Sequence, residues 1–375
     1  MKRTTRSALA LGLAAALATG TASAYTNLYA FGDSLSDSGS VSATVEFLTG
    51  TPLLGPPYAG RGSNGPVAVE YLAASLGLSA LPAGSTVTLP PPPPGGTTIT
   101  VPLGGTNYAQ FAGATANITT VSGNTYDTYL ASNPTFAAAG GAIFNGHAGI
   151  DKQVAAFAAA LGVGGADPKA LYSVWGGAND AYIALEDPAF LLLAAGDPAA
   201  AAGVIFATAT ESAGNVGESV AALAALGARH FLVPNIPDLG LTPTAVSQGP
   251  AAVAALSLFT DVFNATLAGI LDALEDTGLD VVPFDVEALL NQVAATPDAF
   301  GFVNTTSQCI LEFEACAASG FRYLFWDGVH PTTYAHSILG GLFARAVPEP
   351  ATVLVFLLGL ALIARRFAGR AVRAA

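Results

Sequence analysis

The sequence predicts an α/β fold, a parallel sheet with helices on both faces. Two observations carry this. Short apolar runs of strand length alternate with longer Ala/Leu-rich runs of helical length. The roughly 320 residues between two atypical ends also fit a single α/β unit with insertions, and no internal repeat suggests an array. The strand candidates are residues 27–31, 107–111, 171–175, 231–234 and 280–284. The helical candidates are residues 67–76, 151–161, 199–226, 251–277, 286–295 and 332–346. Two stretches interrupt the alternation. Residues 84–105 include Pro90 to Pro94 and read as an irregular or polyproline loop, and the Thr/Asn/Gly-rich residues 113–146 read as a surface excursion.

At the N-terminus, Lys2, Arg3 and Arg6 precede an apolar run over residues 8–18, and Ala22-Ser23-Ala24 supplies small residues suited to cleavage. This is the pattern of a secretory signal peptide over residues 1–24. At the other end, Val347-Pro348-Glu349-Pro350 leads into an apolar run ending at Ala364, followed by Arg365-Arg366. The run over residues 351–364, at about 1.5 Å per residue, is short of a hydrocarbon core about 30 Å thick. Residues 347–375 resemble the PEP-CTERM sorting signal of Gram-negative bacteria. That resemblance implies export to the cell surface, outer envelope or extracellular matrix, processing by an exosortase-type enzyme, and transient membrane association through the C-terminal helix. A plain C-terminal anchor is the alternative. The segment between the ends, residues 25–346, is expected to be one domain.

The chain is 52% hydrophobic with a mean hydropathy of +0.52, values that both ends inflate. Between Tyr25 and Val347 there are six Lys+Arg against 25 Asp+Glu, a formal charge of about −19. Nucleic acid and anionic membrane surfaces are poor partners for such a segment. The two cysteines, Cys309 and Cys316, are expected to close a short disulfide loop in an exported chain. They are too few for a metal site. With no Gly-rich phosphate loop and no His-Glu-x-x-His, neither a metal nor another cofactor is implied.

The first strand candidate ends in Phe31-Gly32-Asp33-Ser34-Leu35. This sets a serine hydroxyl just past the carboxyl end of a strand, the edge where open parallel sheets bind ligands. Read alone, the stretch favours a plain Ser/Asp/Gly-rich turn, because so short a motif often matches by chance. A serine needs a base to become a nucleophile. Of the four histidines, His230 opens a buried strand, His336 sits inside a helix, and His147 has no acidic neighbour. His330 stands in Asp327-Gly328-Val329-His330-Pro331. An Asp-x-x-His loop lets the carboxylate accept the Nδ1 proton and leaves Nε2 for the serine. The same pair could simply cap the next helix. A third stretch, Trp175-Gly176-Gly177-Ala178-Asn179-Asp180, offers an Asn amide at a strand end that could donate to an oxyanion, or cap the following helix.

Together these stretches resemble the GDSL/SGNH hydrolases in order and spacing: Gly32-Asp33-Ser34-Leu35 near the N-terminus, Gly177-Ala178-Asn179-Asp180 midway, and Asp327-x-x-His330 near the C-terminus. Residues 63–73, 233–243 and 323–332 extend the likeness over most of the mature chain. The resemblance implies a flavodoxin-like three-layer α/β/α sandwich and an exported serine esterase or lipase. Ser34 would be the nucleophile, His330 the base and Asp327 its orienting partner. Asn179, the Ser34 N–H and a glycine would form the oxyanion hole. The sequence departs from the family in the block that supplies this glycine, leaving Gly113 as the choice and Gly141 as its rival. The absence of Gly-x-Ser-x-Gly around Ser34 disfavours an ordinary α/β-hydrolase lipase. The substrate would be a small acyl ester, a lipid or an acylated polysaccharide. The alternatives are an acyltransferase using the same acyl-enzyme, or a non-catalytic glycan-binding surface protein.

Overall fold

A computed structural model describes residues 25–89, 97–128 and 149–347. Taken along the chain, the elements before the midpoint are β1 (Leu28–Gly32), α1 (Ser40–Thr49), α2 (Ala68–Ser75), β2 (Gly84–Leu89), β3 (Thr97–Pro102), α3 (Ile150–Leu161), β4 (Leu171–Trp175) and α4 (Ala178–Leu185). There follow α5 (Pro188–Gly196), α6 (Pro198–Leu226), β5 (His230–Pro234), α7 (Pro243–Gln248), α8 (Pro250–Glu275) and β6 (Asp280–Phe284). The last are α9 (Val286–Ala295), β7 (Asn304–Gln308), α10 (Phe313–Ala318), β8 (Tyr323–Phe325) and α11 (Thr333–Ala346). The central sheet runs β1-β4-β5-β6, all parallel, with Leu28 opposite Leu171 and His230 opposite Asp280.

Side chains alternate across this sheet and fill two separate cores. Phe31, Tyr172, Val174, Phe231 and Val233 point to one face, where they meet α3, α6 and α8. Leu28, Ala30, Leu171, Trp175 and Leu232 point to the other, against α2 and α11. A strand buried on both faces must be apolar nearly throughout, which is why these runs stand out in the sequence. The result is a three-layer α/β/α sandwich. Pro283 lies in β6, at the sheet's edge, where a missing N–H costs no ladder bond. The α8 helix is long and apolar enough to cross a membrane by composition. Its Leu256, Phe259, Phe263, Leu267 and Leu271, spaced by three or four, are instead buried in the first core.

The expected strands at 171–175 and 280–284 form at those residues, that at 27–31 is displaced by one residue at both ends, and that at 231–234 begins one residue earlier. Residues 107–111 form no strand. One parallel bridge joins Asn107 to Ala30, supported by Tyr108 N–H to Ala30 O (2.7 Å) and Gln110 N–H to Gly32 O (3.1 Å). The segment lies on the free side of β1, but a turn from Gln110 to Gly113, with Ala112 at a φ of +64°, ends it at once. Residues 84–105 are not an irregular loop: β2 and β3 pair antiparallel from Gly84–Pro102 to Leu89–Thr97. Thr-Val-Thr and Thr-Ile-Thr supply β-branched residues to the two arms, Pro90 to Pro94 fall between them, and Pro102 comes last in the second. The signal peptide, the sorting tail and most of the 113–146 excursion lie outside the described residues.

Candidate active site

Ser34 sits in the turn that leaves the carboxyl end of β1. Asp33 organises this turn: its carbonyl accepts from the N–H groups of Ser36 and Asp37, and its Oδ1 from the Leu35 N–H at 2.9 Å. Two distant side chains brace it. The buried Gln153 amide clamps Gly32 on both sides, Oε1 accepting its N–H at 2.8 Å and Nε2 donating to its carbonyl at 2.7 Å. Asn107 Nδ2 donates to Ser36 O and Ser38 Oγ. Such bonds, made where no water competes, hold the Ser34 backbone in one conformation.

His330 and Asp327 occupy the loop between β8 and α11. The loop is closed by Trp326 N–H to His330 O (2.7 Å), and Thr332 caps α11 through the Ala335 N–H. His330 Nε2 stands 2.8 Å from Ser34 Oγ, and its Nδ1 is 2.8 Å from Asp327 Oδ2. Asp327 Oδ1 accepts the N–H groups of Val329 (2.9 Å) and His330 (2.8 Å), and Oδ2 also accepts the Tyr58 hydroxyl (2.8 Å). Burial alone would raise the Asp327 carboxyl, but the His330 charge and these hydrogen bonds hold it at about 2. Burial pulls His330 down, but the Asp327 charge and hydrogen bond, with the Asp33 charge, together outweigh it, so the imidazole lies above its ordinary 6.5. Gly62 packs onto the pair so closely that a Cβ there would sit 3.0 Å from His330 Cδ2 and 3.1 Å from Ser34 Cβ.

Asn179 opens α4 after the turn at Gly177, whose φ of +126° and approach to the Phe263 ring (2.6 Å from an added Cβ) exclude a larger residue. The Asn179 amide donates to Gly113 O at 2.9 Å, which takes one of its two hydrogens and leaves the other. The next residue, Asp180, is buried and accepts Thr115 N–H at 2.9 Å and Ser212 Oγ at 2.9 Å. Asn179 and Asp180 thus tie α4 to the 113–115 segment.

Gly113 departs from expectation. Its N–H is taken within its own turn by Gln110 O at 3.0 Å, so it is not a free donor for an oxyanion; its carbonyl instead positions Asn179. Gly141 lies outside the described residues, as does His147. His230 pairs with Asp280 at 2.7 Å, away from Ser34. His336 is buried, accepts Ala68 N–H through Nδ1 at 3.2 Å, and is pushed down by burial to about 3, so it stays neutral.

Cys309 and Cys316 form the expected disulfide. Cys309 N–H donates to Phe325 O (3.0 Å) and Ile310 N–H to Trp326 O (2.8 Å), which pins the chain just ahead of Asp327. Three groups at the site escaped sequence reasoning: Tyr58, Gly62 and Gln153. Each acts across more than 100 residues of chain, as Tyr58 does on Asp327, and no local pattern marks them. Among the described residues no cluster of His, Cys, Asp and Glu could hold a metal.

Ser34, His330 and Asn179 open onto one cavity of about 400 Å³. Fold and site together define a three-layer α/β/α protein with a Ser–His–Asp relay at the carboxyl edge of its sheet. Residues 28–343 match the model of the GDSL-like lipase/acylhydrolase family, and the chain belongs to it. Residues 346–374 match the PEP-CTERM protein-sorting motif, the mark of an exported Gram-negative protein. Among its relatives, "Lipase 1" of Photorhabdus luminescens is 26% identical over 89% of this chain and 52% of its own length. "Esterase EstA" of Pseudomonas aeruginosa is 29% identical over 83% of this chain and 45% of its own. An uncharacterised protein from the trpE-trpG intergenic region of Pseudomonas putida is 31% identical over 46% of this chain and 29% of its own. The chain therefore spans about half the length, or less, of these relatives.

Proposed function

We propose that this protein is an exported serine esterase that hydrolyses carboxylic esters through an acyl-enzyme on Ser34. The observation that carries the reading is the continuous relay from Ser34 Oγ through His330 Nε2 and Nδ1 to Asp327, each link 2.8 Å, at the wall of a cavity. His330 takes the Ser34 proton as Oγ attacks the ester carbonyl, and Asp327 stabilises the imidazolium that forms. The oxyanion is held by the second Asn179 amide hydrogen and the Ser34 N–H. His330 returns its proton to the leaving alcohol, and the alcohol departs. Water, deprotonated by the same imidazole, then cleaves the acyl-enzyme and releases the acid and free Ser34.

Residues 1–24 would direct export, leaving Tyr25 as the first mature residue, and residues 347–375 would be handled by an exosortase-type enzyme at the membrane. That sequence of events fits a final position on the cell surface, in the outer envelope or in the matrix. A glycan binder would have no use for an ordered relay, and an acyltransferase would differ only in the acceptor that resolves the acyl-enzyme. The test is labelling by a fluorophosphonate together with p-nitrophenyl acetate turnover. Wild type should label and turn over, and Ser34→Ala should do neither while melting at the same temperature. A wild type inert in both assays would refute the hydrolase.

A further inference from the structure

The cavity does not end at the relay. Besides Leu35 and Pro331, its lining includes residues of both α9 and α11. From α9 come Val286, Leu289, Leu290 and Val293, spaced i, i+3, i+4 and i+7, so that one helix face lines the space. From α11 come Ala335, Ile338 and Leu339, again one face. Phe302 and Leu324 close the gap between the helices. No residue lining this arm has a polar side chain. The other side of the cavity differs, with Tyr182, Glu186, Thr242 and Thr244 on its wall.

Two apolar helix faces turned toward each other ordinarily interdigitate and leave no void. Here they line a space in which a water molecule would find no side-chain partner. Hydrocarbon fits such a space, because each methylene that enters leaves water without breaking a polar contact. We propose that the α9–α11 arm receives the acyl chain of the substrate, so that the enzyme prefers medium- and long-chain acyl esters to acetyl esters. This rests on the Ser34 hydrolase reading. The acyl end is assigned to the arm, and the alcohol is not, because of the traffic in each turnover. The alcohol must leave and water must enter, and both are served by the polar wall of Glu186, Tyr182 and the two threonines. The acyl group alone stays in place from attack to deacylation. An acetyl group would leave the arm empty, which sets O-acetylated polysaccharide aside as the substrate.

The test is kcat/KM on p-nitrophenyl esters from acetyl to palmitoyl, in parallel with an alkyl acetate series. Along the acyl series kcat/KM should rise by up to about fourfold per methylene until the arm is filled, and the alkyl acetates should show no such climb. Ile338→Trp and Leu290→Trp, which narrow the arm, should each lower the octanoyl-to-acetyl ratio of kcat/KM by at least tenfold. A third measurement does not depend on either variant folding: in wild type, octanoate should inhibit p-nitrophenyl acetate hydrolysis competitively at concentrations at least 30-fold below acetate. An optimum at acetyl, a length dependence confined to the alkyl acetates, or equal inhibition by acetate and octanoate would overturn the proposal while the labelled, active Ser34 stands. If Ser34 takes no fluorophosphonate and no ester turns over, the hydrolase reading falls and the acyl arm falls with it.

Discussion

Replacing Asp327 by asparagine tests the relay most sharply, because the surroundings dictate which way the new amide must point. Oδ1 of Asp327 accepts two backbone N–H groups, from Val329 at 2.9 Å and His330 at 2.8 Å. An amide nitrogen in that position would face two donors, so the Asn oxygen must take it. The NH2 group is then forced into the Oδ2 position, 2.8 Å from His330 Nδ1. A donor there favours the imidazole tautomer with its lone pair on Nδ1 and its proton on Nε2. Nε2 would then donate to Ser34 Oγ and could not accept its proton. The only oxygen left to Nδ1–H is Oδ1, at 3.0 Å and already doubly occupied. The side chain keeps its size and most of its contacts, so the fold should survive. A relay locked in the wrong tautomer costs about 10⁴-fold in kcat. The assay is kcat for p-nitrophenyl ester hydrolysis with active sites counted by fluorophosphonate titration. Retention of kcat within tenfold of wild type would refute the tautomer argument and with it the assigned role of Asp327.

Four further outcomes follow from the structure. Asn179→Ala removes an amide donor and should lower kcat by about 10²–10³-fold with less change in KM, whereas an unchanged kcat would remove Asn179 from the oxyanion site. A base at His330 must be neutral to act, and because the Asp327 charge and hydrogen bond, with the Asp33 charge, raise its pKa above 6.5 against burial, the acid limb of kcat/KM should have its midpoint above that value; a midpoint below 6 would contradict it. Asp327 has the opposite sign for stability: held at about 2 against an ordinary 3.8, it contributes stability that is complete above 3.8 and lost as pH falls toward 2, which urea melts at pH 5 and pH 2.5 would record. Opening the disulfide with Cys309→Ser and Cys316→Ser should cost about 2–3 kcal/mol by the chain-entropy relation for so short a loop. Thermal or urea unfolding would read that loss, and no loss would mean that the loop is held by its other contacts alone.

What the sequence made legible divides by distance along the chain. Gly32-Asp33-Ser34 and Asp327-x-x-His330 could be read because each motif is complete within a few residues at one strand end. The strand at 171–175 could be read because burial on both sheet faces makes it almost wholly apolar, and that at 280–284 because two valines and a phenylalanine stand together in an edge strand that is only partly buried. Residues 107–111 carry Tyr108, Ala109 and Phe111 but also two amides, and a turn follows at once, so the segment makes only bridges at Asn107, to Ala30 on one side and Pro82 on the other. The prolines at 90–94 hid the β-branched alternation on either side of them. Gly113 was misread for a related reason. A glycine's type says that the backbone approaches something, but not whether its N–H or its carbonyl faces the site; here the N–H closes a turn and the carbonyl holds Asn179. Tyr58 and Gln153 were illegible because each acts on a residue far along the chain, by a single hydrogen bond or a paired one.

These long-range contacts explain how a relay assembled from opposite ends of the chain keeps its geometry. A Ser–His contact 296 residues apart would wander if only the two side chains defined it. Each side is instead fixed to backbone before the two meet. On the serine side, Gln153 and Asn107 hold Gly32, Ser36 and Ser38, which flank Ser34. On the histidine side, the disulfide loop donates to Phe325 and Trp326, the two residues before Asp327. Tyr58 spans the remaining gap: its hydroxyl reaches Asp327, and its ring packs edge-on against Trp326 with centroids 5.8 Å apart. A hydrogen bond to a charged group is worth about 1.5–3 kcal/mol, yet Asp327 keeps three other donors when Tyr58 is removed. Tyr58→Phe should therefore lower activity far less than Asp327→Asn, while removing a hydroxyl that helps stabilise the carboxylate. The less stabilised carboxylate is a stronger partner for imidazolium, so the acid limb of kcat/KM should move upward in pH. A downward shift would mean that Tyr58 acts by holding Asp327 in place, and not through its charge.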